Sequence, residues 1–375
     1  AQAVHSARGS ARPPAAALRP AAAMGTARRR RLRPWAAGVG VACVGATALW
    51  GAQCLVQPLR RVLVVGATHG NELTGVWVTH RIERRPGLAK RPSLDDVITV
   101  IGNPEAYRDT RRFVHADLNR QFRVEDLGDL SLCGYEHQRA KVLHRSFGAG
   151  AGDGQAADFV VDLHTSTASM GISFIVEGWD DVGLAAAAWC MRELEPQSAS
   201  GELPPVRILR ETLPRRDSGH LIAMCPHGIM VEVGPVPQGV LRHDACTWME
   251  AATMAVLDFL EALNTGRLDL PQRVVVYSDL AVKVPAPCGP DGKPAAVFHP
   301  DFQGRDFEPL RKGDPLFVDL DGEVIRYDGA HGDVIWPVFV NEGAYYLPES
   351  GLGFGVTLRE EVDVPVVATS AQVEH

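Results

Sequence analysis

The sequence lacks the cysteine pattern of a disulfide scaffold. Small disulfide-rich proteins usually carry an even number of cysteines at short, regular spacings. Here the number is odd and no Cys-x-x-Cys pair occurs, so we predict free thiols in a reducing, cytosol-like environment and assign none of them to catalysis. The seven residues are Cys43, Cys54, Cys133, Cys190, Cys225, Cys246 and Cys288.

Acidic residues are missing from the first 34 positions, which carry eight arginines. The whole chain has a net charge of −7, so the remaining residues together carry about −15. An acidic body of this kind argues against nucleic-acid binding. With 375 residues, 46% of them hydrophobic, the chain is long enough for one large or two modest domains with a sizeable core.

An uncharged stretch, residues 36–56, follows the basic cluster Arg28 to Arg33. About 20 apolar residues span a bilayer, so residues 1–57 have the layout of a signal anchor or a cleavable targeting segment. Their alanine and glycine content makes a weak anchor, and an extension without a stable fold is the alternative. We therefore expect a cytoplasmic catalytic domain, with membrane anchoring or organelle targeting only if the segment 36–56 is retained.

From Arg60 onwards, short apolar runs alternate with helical patterns. This alternation predicts an α/β sheet covered by helices on both faces, over residues 58–265. Proline, glycine and short valine-rich runs such as Val274–Tyr277 then predict a smaller β-rich domain over 266–375. The predicted strands are 61–66, 97–101, 158–164, 172–177, 206–209 and 229–233, and the predicted helices are 72–83, 135–147, 181–194 and 243–264.

Two of the apolar strands end in residues that can bind a metal. The first runs into Thr68-His69-Gly70-Asn71-Glu72, and the third ends at His164. In open α/β sheets, ligands gather beyond the carboxyl ends of the strands. Catalytic zinc commonly takes three protein ligands of these types and leaves its fourth position to water. Each signal alone is weak, but together they predict one Zn2+ held by His69, Glu72 and His164.

Two further carboxylates suit such a site. Asp162 precedes His164 by two residues, so both side chains lie on the same side of the strand, where Asp162 can accept the other N–H of the imidazole. An ordinary carboxylate at a sheet end is the alternative. Glu232 lies in the apolar run Ile229 to Val233, where a lone carboxylate is costly unless it faces a polar site. We predict that Glu232 is the base of an amide hydrolysis, with pairing to a nearby arginine as the alternative.

Arg112, Asn119 and Arg120 lie in a polar segment between two strands. A guanidinium group can grip a carboxylate through two hydrogen bonds, so these residues suit substrate binding. Most arginines in loops are simply solvated, and that alternative stays open on composition alone.

At these residues five runs occur in a fixed order: GATHGNELTG at 66–75, RFVHADLNRQF at 112–122, VDLHTSTASMG at 161–171, EVGPVPQGVLR at 232–242 and PVFVNEGAYY at 337–346. With these runs the sequence resembles the aspartoacylase family, which includes the N-acyl-aromatic-L-amino acid amidohydrolases, within the zinc carboxypeptidase-like superfamily. The resemblance implies a mixed sheet flanked by helices, a β-rich C-terminal domain and one Zn2+ per subunit. It also implies zinc-dependent cleavage of N-acyl, mainly N-acetyl, amino acids, and assembly into a homo-oligomer.

The resemblance assigns roles to individual residues. It implies zinc ligands at His69, Glu72 and His164, and a catalytic Glu232 that activates water. Arg112 would polarise the scissile carbonyl and stabilise the oxyanion. Asn119 and Arg120 would bind the substrate carboxylate, and Tyr345 would close the pocket from the C-terminal domain.

Two departures from the family pattern concern the substrate. Members specific for N-acetylaspartate carry an arginine shortly before the catalytic glutamate strand, where this chain has Asp217-Ser218-Gly219-His220. Arg215 or Arg216 can replace it only if the loop swings one of them in. Aromatic substrates are therefore slightly favoured. Thr165 replaces the asparagine that many members have after the metal histidine, and we expect the metal to be retained.

Four alternatives stay open. They are an aspartoacylase acting on N-acetylaspartate, an enzyme acting on succinylated amino acids, a catalytically inactive protein that binds an acyl amino acid, and a membrane-tethered scaffold. Because every expected active-site position holds a competent residue, the inactive binding protein is disfavoured.

Overall fold

The computed structural model describes residues 54–152, 154–347 and 353–370. The helices are α1 (Leu73–Arg84), α2 (Pro104–Arg108), α3 (Val124–Gly128), α4 (Tyr135–Phe147), α5 (Asp181–Ser200) and α6 (His243–Asn264). The strands are β1 (Cys54–Val56), β2 (Arg61–Gly66), β3 (Asp96–Ile101), β4 (Phe159–Thr165), β5 (Gly171–Glu177), β6 (Val206–Glu211), β7 (His227–Gly234), β8 (Arg273–Pro285), β9 (Ala296–Phe298), β10 (Leu310–Arg311), β11 (Pro315–Asp319), β12 (Val324–Arg326), β13 (Val334–Val338), β14 (Gly353–Asp363) and β15 (Val367–Thr369).

Ten of these strands form one mixed sheet, in the order β10-β13-β14-β8-β6-β5-β7-β4-β2-β3. The strands β3, β2, β4 and β7 run parallel to one another, whereas β5 runs antiparallel to β7. Beyond residue 265 the sheet continues through β8, β14 and β13, and the segment β9-β11-β12 forms a separate small sheet. This confirms the predicted fold class, a mixed sheet flanked by helices with a β-rich C-terminal part.

Alternate residues of the central strands pack on opposite faces of the sheet. One face carries residues such as Val64 and Val161 and is covered by α1, α5 and α6. The other face carries residues such as Val65, Val160 and Met230 and packs against α4. Period-two alternation places His164 and Glu232 on this second face, because each lies an even number of residues from Val160 or Met230.

Close contact between α1 and the sheet depends on Gly75. A Cβ atom added there would lie 2.8 Å from Leu163 Cβ and 2.9 Å from the Leu163 carbonyl oxygen. Alanine is normally favoured over glycine in a helix by about 1 kcal/mol. We expect Gly75→Ala instead to lower the free energy of unfolding by about 1–3 kcal/mol, because the contact forces the helix outward.

Unfolding in guanidinium chloride would measure this effect. Gly87→Ala is the matched control, since nothing lies within 4 Å of its added Cβ. We expect the control to change stability by less than about 0.5 kcal/mol. Equal effects of the two substitutions would contradict the packing argument.

Several sequence-based boundaries differ from the structure, among them the end of α5, the end of β6 and the start of the ordered chain. Helix α5 continues to Ser200 although its predicted end lies before Pro196. Loss of one N–H at Pro196 is tolerated, and the helix ends where Gly201 adopts φ +83° and donates its N–H to the carbonyl of Ser198. Strand β6 extends to Glu211. Ordered structure begins before Arg60, because β1 pairs in parallel with β15.

Most of the predicted N-terminal extension lies outside the described residues, so its targeting or anchoring role stays a prediction, as do the domain boundaries. None of the helices in the described part of the chain combines the length and the apolar character needed to span a bilayer. The cysteines within the described ranges are free thiols, as predicted: Cys54, Cys133, Cys190, Cys225, Cys246 and Cys288.

Candidate active site

The predicted metal ligands converge at one end of the sheet. His69 lies on the turn after β2, Glu72 is the residue before α1, and His164 lies near the end of β4. The two Nδ1 atoms of the histidines are 3.2 Å apart. Glu72 Oε1 is 2.7 Å from His69 Nδ1, and Glu72 Oε2 is 3.0 Å from His164 Nδ1.

This geometry fits a tetrahedral metal ion. Two nitrogens that each lie ~2.0–2.1 Å from one zinc ion are about 3.3 Å apart, which matches the separation of the two Nδ1 atoms. The three side chains are buried, and one ligand atom from each lies within 4.8 Å of the others. His69, Glu72 and His164 can therefore hold one metal ion.

Carboxylates hold the outer nitrogens of both histidines. His69 Nε2 lies 2.9 Å from Asp117 Oδ1, and His164 Nε2 lies 2.7 Å from Asp162 Oδ2. The hydroxyl of Thr68 donates to the other oxygen of Asp162 at 2.6 Å. Such partners fix the ring orientation and leave both Nδ1 atoms facing the position that a metal ion could take.

The spacing of Asp162 and His164 predicted one of these two contacts. Asp117 was not singled out from the sequence, although it lies in the run RFVHADLNRQF. It is 48 residues from His69, and no local periodicity links the two positions. Its place within that run was the available signal.

The electrostatics of the site favour a bound cation. Burial alone would raise the pKa of Glu72 and of Asp117. His69 and His164 nevertheless hold the pKa of Glu72 below its ordinary range. His69 and Arg112 do the same for the pKa of Asp117. Burial opposes a charge on His164, yet Asp162 and Glu72 raise its pKa well above the ordinary value. The carboxylates thus stay ionised around the histidines, and a metal cation would balance them.

Arg112 lies against the metal group. Its Nε and Nη2 atoms donate to Asp117 Oδ2 at 3.2 and 3.0 Å, and Nη1 donates to Glu72 Oε1 at 3.3 Å. Burial alone would lower the pKa of Arg112, but Asp117 and Glu72 raise it. The guanidinium therefore stays charged beside the metal ligands.

Asn119 and Arg120 follow in a short 3-10 turn, Leu118–Arg120. The Asn119 side-chain oxygen accepts the N–H of Leu221 at 2.7 Å, and its Nδ2 lies 3.5 Å from His164 Nε2. Arg120 Nη1 donates to the Asn119 carbonyl at 2.8 Å. Asn119 thus joins this turn to the segment around Leu221, while Arg120 lines the pocket.

Glu232 lies on β7 directly beside His164 on β4. It is 8% exposed and faces the pocket. Burial is the main cause that raises the pKa of Glu232 well above its ordinary value, and the negative charge of Glu72 is the second cause. A buried carboxyl beside the metal ligands is thus a group that can take up a proton.

Tyr345 lies in the 3-10 turn Gly343–Tyr346. The side chain of Glu342, the residue before this turn, connects it by hydrogen bonds to the loop after His164. Glu342 Oε2 accepts hydrogen bonds from the Ser166 hydroxyl and from the Thr167 N–H at 2.8 Å, and Oε1 accepts from the Ala344 N–H at 3.0 Å. Burial raises the pKa of Tyr345. Glu342 was not singled out from the sequence, although it lies in the run PVFVNEGAYY.

All eight predicted residues line one pocket. Its wall also includes Ile175, Met230, Glu211, His220 and Phe339, none of which was proposed from the sequence. These additional residues come from β5, β6, β7 and two loops. The eight predicted ones are His69, Glu72, Arg112, Asn119, Arg120, His164, Glu232 and Tyr345.

Arg215 and Arg216 are not in the wall of this pocket. Arg215 Nη2 donates to the Cys225 carbonyl at 2.7 Å, and its guanidinium lies 4.8 Å from the centre of the Trp179 ring. The Arg216 side chain is 81% exposed. Neither arginine therefore lines the pocket that holds the predicted metal ligands.

Position 165 contacts the metal group through its backbone. The N–H of Thr165 donates to Glu72 Oε2 at 3.1 Å. An asparagine at position 165 would supply the same backbone N–H. The replacement of that asparagine by Thr165 therefore keeps the contact with Glu72.

The sequence matches two family models. Residues 58–260 match the succinylglutamate desuccinylase/aspartoacylase catalytic domain, and residues 289–356 match the AstE/AspA barrel-sandwich hybrid domain. The first match alone covers more than half of the chain.

Similar proteins extend over the same region. The chain is 36% identical to the N-acyl-aromatic-L-amino acid amidohydrolase (carboxylate-forming) of Mus musculus, covering 83% of this chain and 94% of that protein. It is 34% identical to a probable aspartoacylase of Trichodesmium erythraeum, covering 82% of this chain and 100% of that protein. The crystal structure of murine aminoacylase 3 superposes with a TM-score of 0.73 at 36% identity, covering 83% of this chain and 98% of that one. The chain therefore belongs to the succinylglutamate desuccinylase/aspartoacylase family.

Proposed function

We propose that this protein is a zinc-dependent amidohydrolase that cleaves N-acyl, mainly N-acetyl, amino acids into a carboxylate and a free amino acid. The observation that carries the proposal is the 3.2 Å separation of the His69 and His164 Nδ1 atoms, with Glu72 between them. The names of the relatives support the same reaction class. Each subunit would hold one Zn2+ at His69, Glu72 and His164.

Zn2+, when bound at these three residues, supplies a Lewis acid that polarises the scissile carbonyl and activates water. Glu232 takes the proton of the attacking water and passes it to the leaving nitrogen. Arg112 donates hydrogen bonds to the oxyanion that develops on the carbonyl. Asn119 and Arg120 bind the substrate carboxylate, and Tyr345 closes the pocket over it.

Neutral, above all aromatic, side chains are favoured over the acidic side chain of N-acetylaspartate. Arg215 and Arg216 both lie outside the pocket wall, whereas Ile175, Met230 and Phe339 give the pocket apolar surface. Aspartoacylase activity is the second candidate, because relatives with that name are 34% identical to this chain. Homo-oligomer assembly and location in the cell stay predictions.

Amino-acid release from N-acetyltyrosine and from N-acetylaspartate, measured side by side with the full chain, tests the proposal. We expect faster release from N-acetyltyrosine, loss of activity with 1,10-phenanthroline, and recovery when Zn2+ is added back. Faster release from N-acetylaspartate would favour the aspartoacylase alternative. A protein that binds about one zinc per chain but cleaves neither compound would favour the inactive binding protein.

A further inference from the structure

The pocket extends beyond the metal group along the face of the sheet. Ile175 and Met230 form an apolar floor next to the metal ligands. A second cavity then continues towards β6 and β8, and shares lining residues such as Arg120, Glu211 and Tyr345 with the first. One cleft therefore runs from the metal group to Glu211 at the end of β6 and Asp279 in the middle of β8.

Two carboxylates line the far end of the cleft. Leu209 on β6 pairs with Tyr277 on β8, which places Glu211 beside Asp279 on the same face of the sheet. Burial, followed by the negative charge of Glu211, raises the pKa of Asp279 to about 7. Asp279 is thus partly protonated near neutral pH, because two neighbouring carboxylates disfavour a second negative charge.

A third carboxylate lies next to this pair. Glu177 on β5 pairs in register with Glu211 and is 1% exposed. Its Oε1 atom lies 3.1 Å from Nδ1 of His220, another residue of the cleft wall. Within the described part of the chain, Glu177 Oε2 is a buried oxygen without a hydrogen-bond partner. Glu177 therefore adds negative potential behind Glu211.

Cations line both cavities of the cleft. Arg112 and Arg120 are part of the metal-side wall, and Lys283, in the wall of the second cavity, has its Nζ 3.3 Å from the centre of the Tyr345 ring. Burial, followed by the charges of Arg120 and Arg112, lowers the pKa of Lys283 to about 8. The cleft therefore carries charges of both signs, and the adjacent carboxylates of Glu211 and Asp279 share the second cavity with Arg123 and Lys283.

We propose that Glu211 and Asp279 form a side-chain subsite that selects N-acyl amino acids whose side chain ends in a positively charged nitrogen. This inference rests on the proposed function, in which Arg120 binds the substrate carboxylate. The aliphatic part of such a side chain lies on Ile175 and Met230, and its cationic end meets the carboxylates. An acidic side chain of the same length would place like charges together, so it is rejected.

Three substrates of equal side-chain length test the subsite with the full chain: N-acetylornithine, N-acetylglutamine and N-acetylglutamate. We expect kcat/KM to fall in that order, with N-acetylornithine favoured over N-acetylglutamate by at least about tenfold. Glu211→Gln and Asp279→Asn should each lower this ratio about tenfold, the effect of one partly screened charge. Glu193→Gln is the matched control, because Glu193 is exposed and paired with Arg192 on α5, and it should leave the ratio unchanged.

Hydrolysis of N-acetyltyrosine, measured in the same preparations, separates the two proposals. Release of an amino acid from none of the four N-acetyl compounds would overturn the proposed function. If N-acetyltyrosine is cleaved but N-acetylornithine is not preferred over N-acetylglutamate, the subsite is wrong and the proposed function stands. A preference that neither Glu211→Gln nor Asp279→Asn reduces would also overturn the subsite.

Discussion

Glu232→Gln is expected to lower kcat for N-acetyltyrosine by about 10³-fold while zinc stays bound. Glutamine keeps the size of the side chain but cannot take the proton from water and return it to the leaving nitrogen. Glu232 lies beside the metal ligand His164 in the sheet register, and it is not one of the three clustered ligands. Loss of activity without loss of metal is therefore the specific result.

Steady-state kinetics and zinc analysis of the same preparation would measure both effects. Glu193→Gln serves again as the control for a changed surface charge. The melting temperature of Glu232→Gln should be equal to or higher than that of the wild type, because a neutral amide costs less to bury than a carboxylate. A variant that keeps more than about a tenth of the wild-type kcat would show that another group transfers the proton.

His164→Ala is expected to remove both the metal and the activity. Zinc content should fall from about one per chain to near zero, because only two of the three protein ligands remain. The substitution also removes the histidine partner of Asp162, which is 0% exposed and whose Oδ2 atom lies 2.7 Å from His164 Nε2. The Thr68 hydroxyl remains as a partner of the other carboxylate oxygen. Breaking a buried charge pair in this way costs about 3–5 kcal/mol of unfolding free energy.

Elemental analysis and denaturant unfolding would check these two effects. His80→Ala is the matched control, because His80 is exposed on the opposite end of α1 from the metal group. We expect the control to keep its zinc and its stability. Full zinc content in His164→Ala would mean that the metal is held by other residues.

Features that depend on neighbouring residues were accessible from the sequence. An apolar strand followed by His-x-x-Glu predicts that His69 and Glu72 lie on one turn, and the two-residue spacing of Asp162 and His164 predicts that they share one face of a strand. Helix α6 matches its predicted bounds, His243 to Asn264, because its apolar residues recur with the helical period.

Contacts between distant segments were not accessible in this way. Asp117 holds His69 across 48 residues, and Glu342 holds the loop after His164 from a strand-rich segment far along the chain. Asp117 and Glu342 both lie in sequence runs shared with the family. The spacing within such a run does not predict which of its side chains contacts which distant residue. The same limit applies to Arg215, whose contact with the Cys225 carbonyl depends on how its loop folds.

The sequence by itself predicted the main alternation of strands and helices, the polar residues at the strand ends and the three residues that can hold a metal ion, because periodicity and short spacings act within a few residues. The tertiary structure decided which charged side chains surround those three residues. Strand order and register bring Glu177, Glu211 and Asp279 side by side from three separate strands, and the fold directs Arg215 and Arg216 away from the pocket. Register is set by the packing of whole faces, so the charge of the substrate subsite appears only once the sheet is assembled.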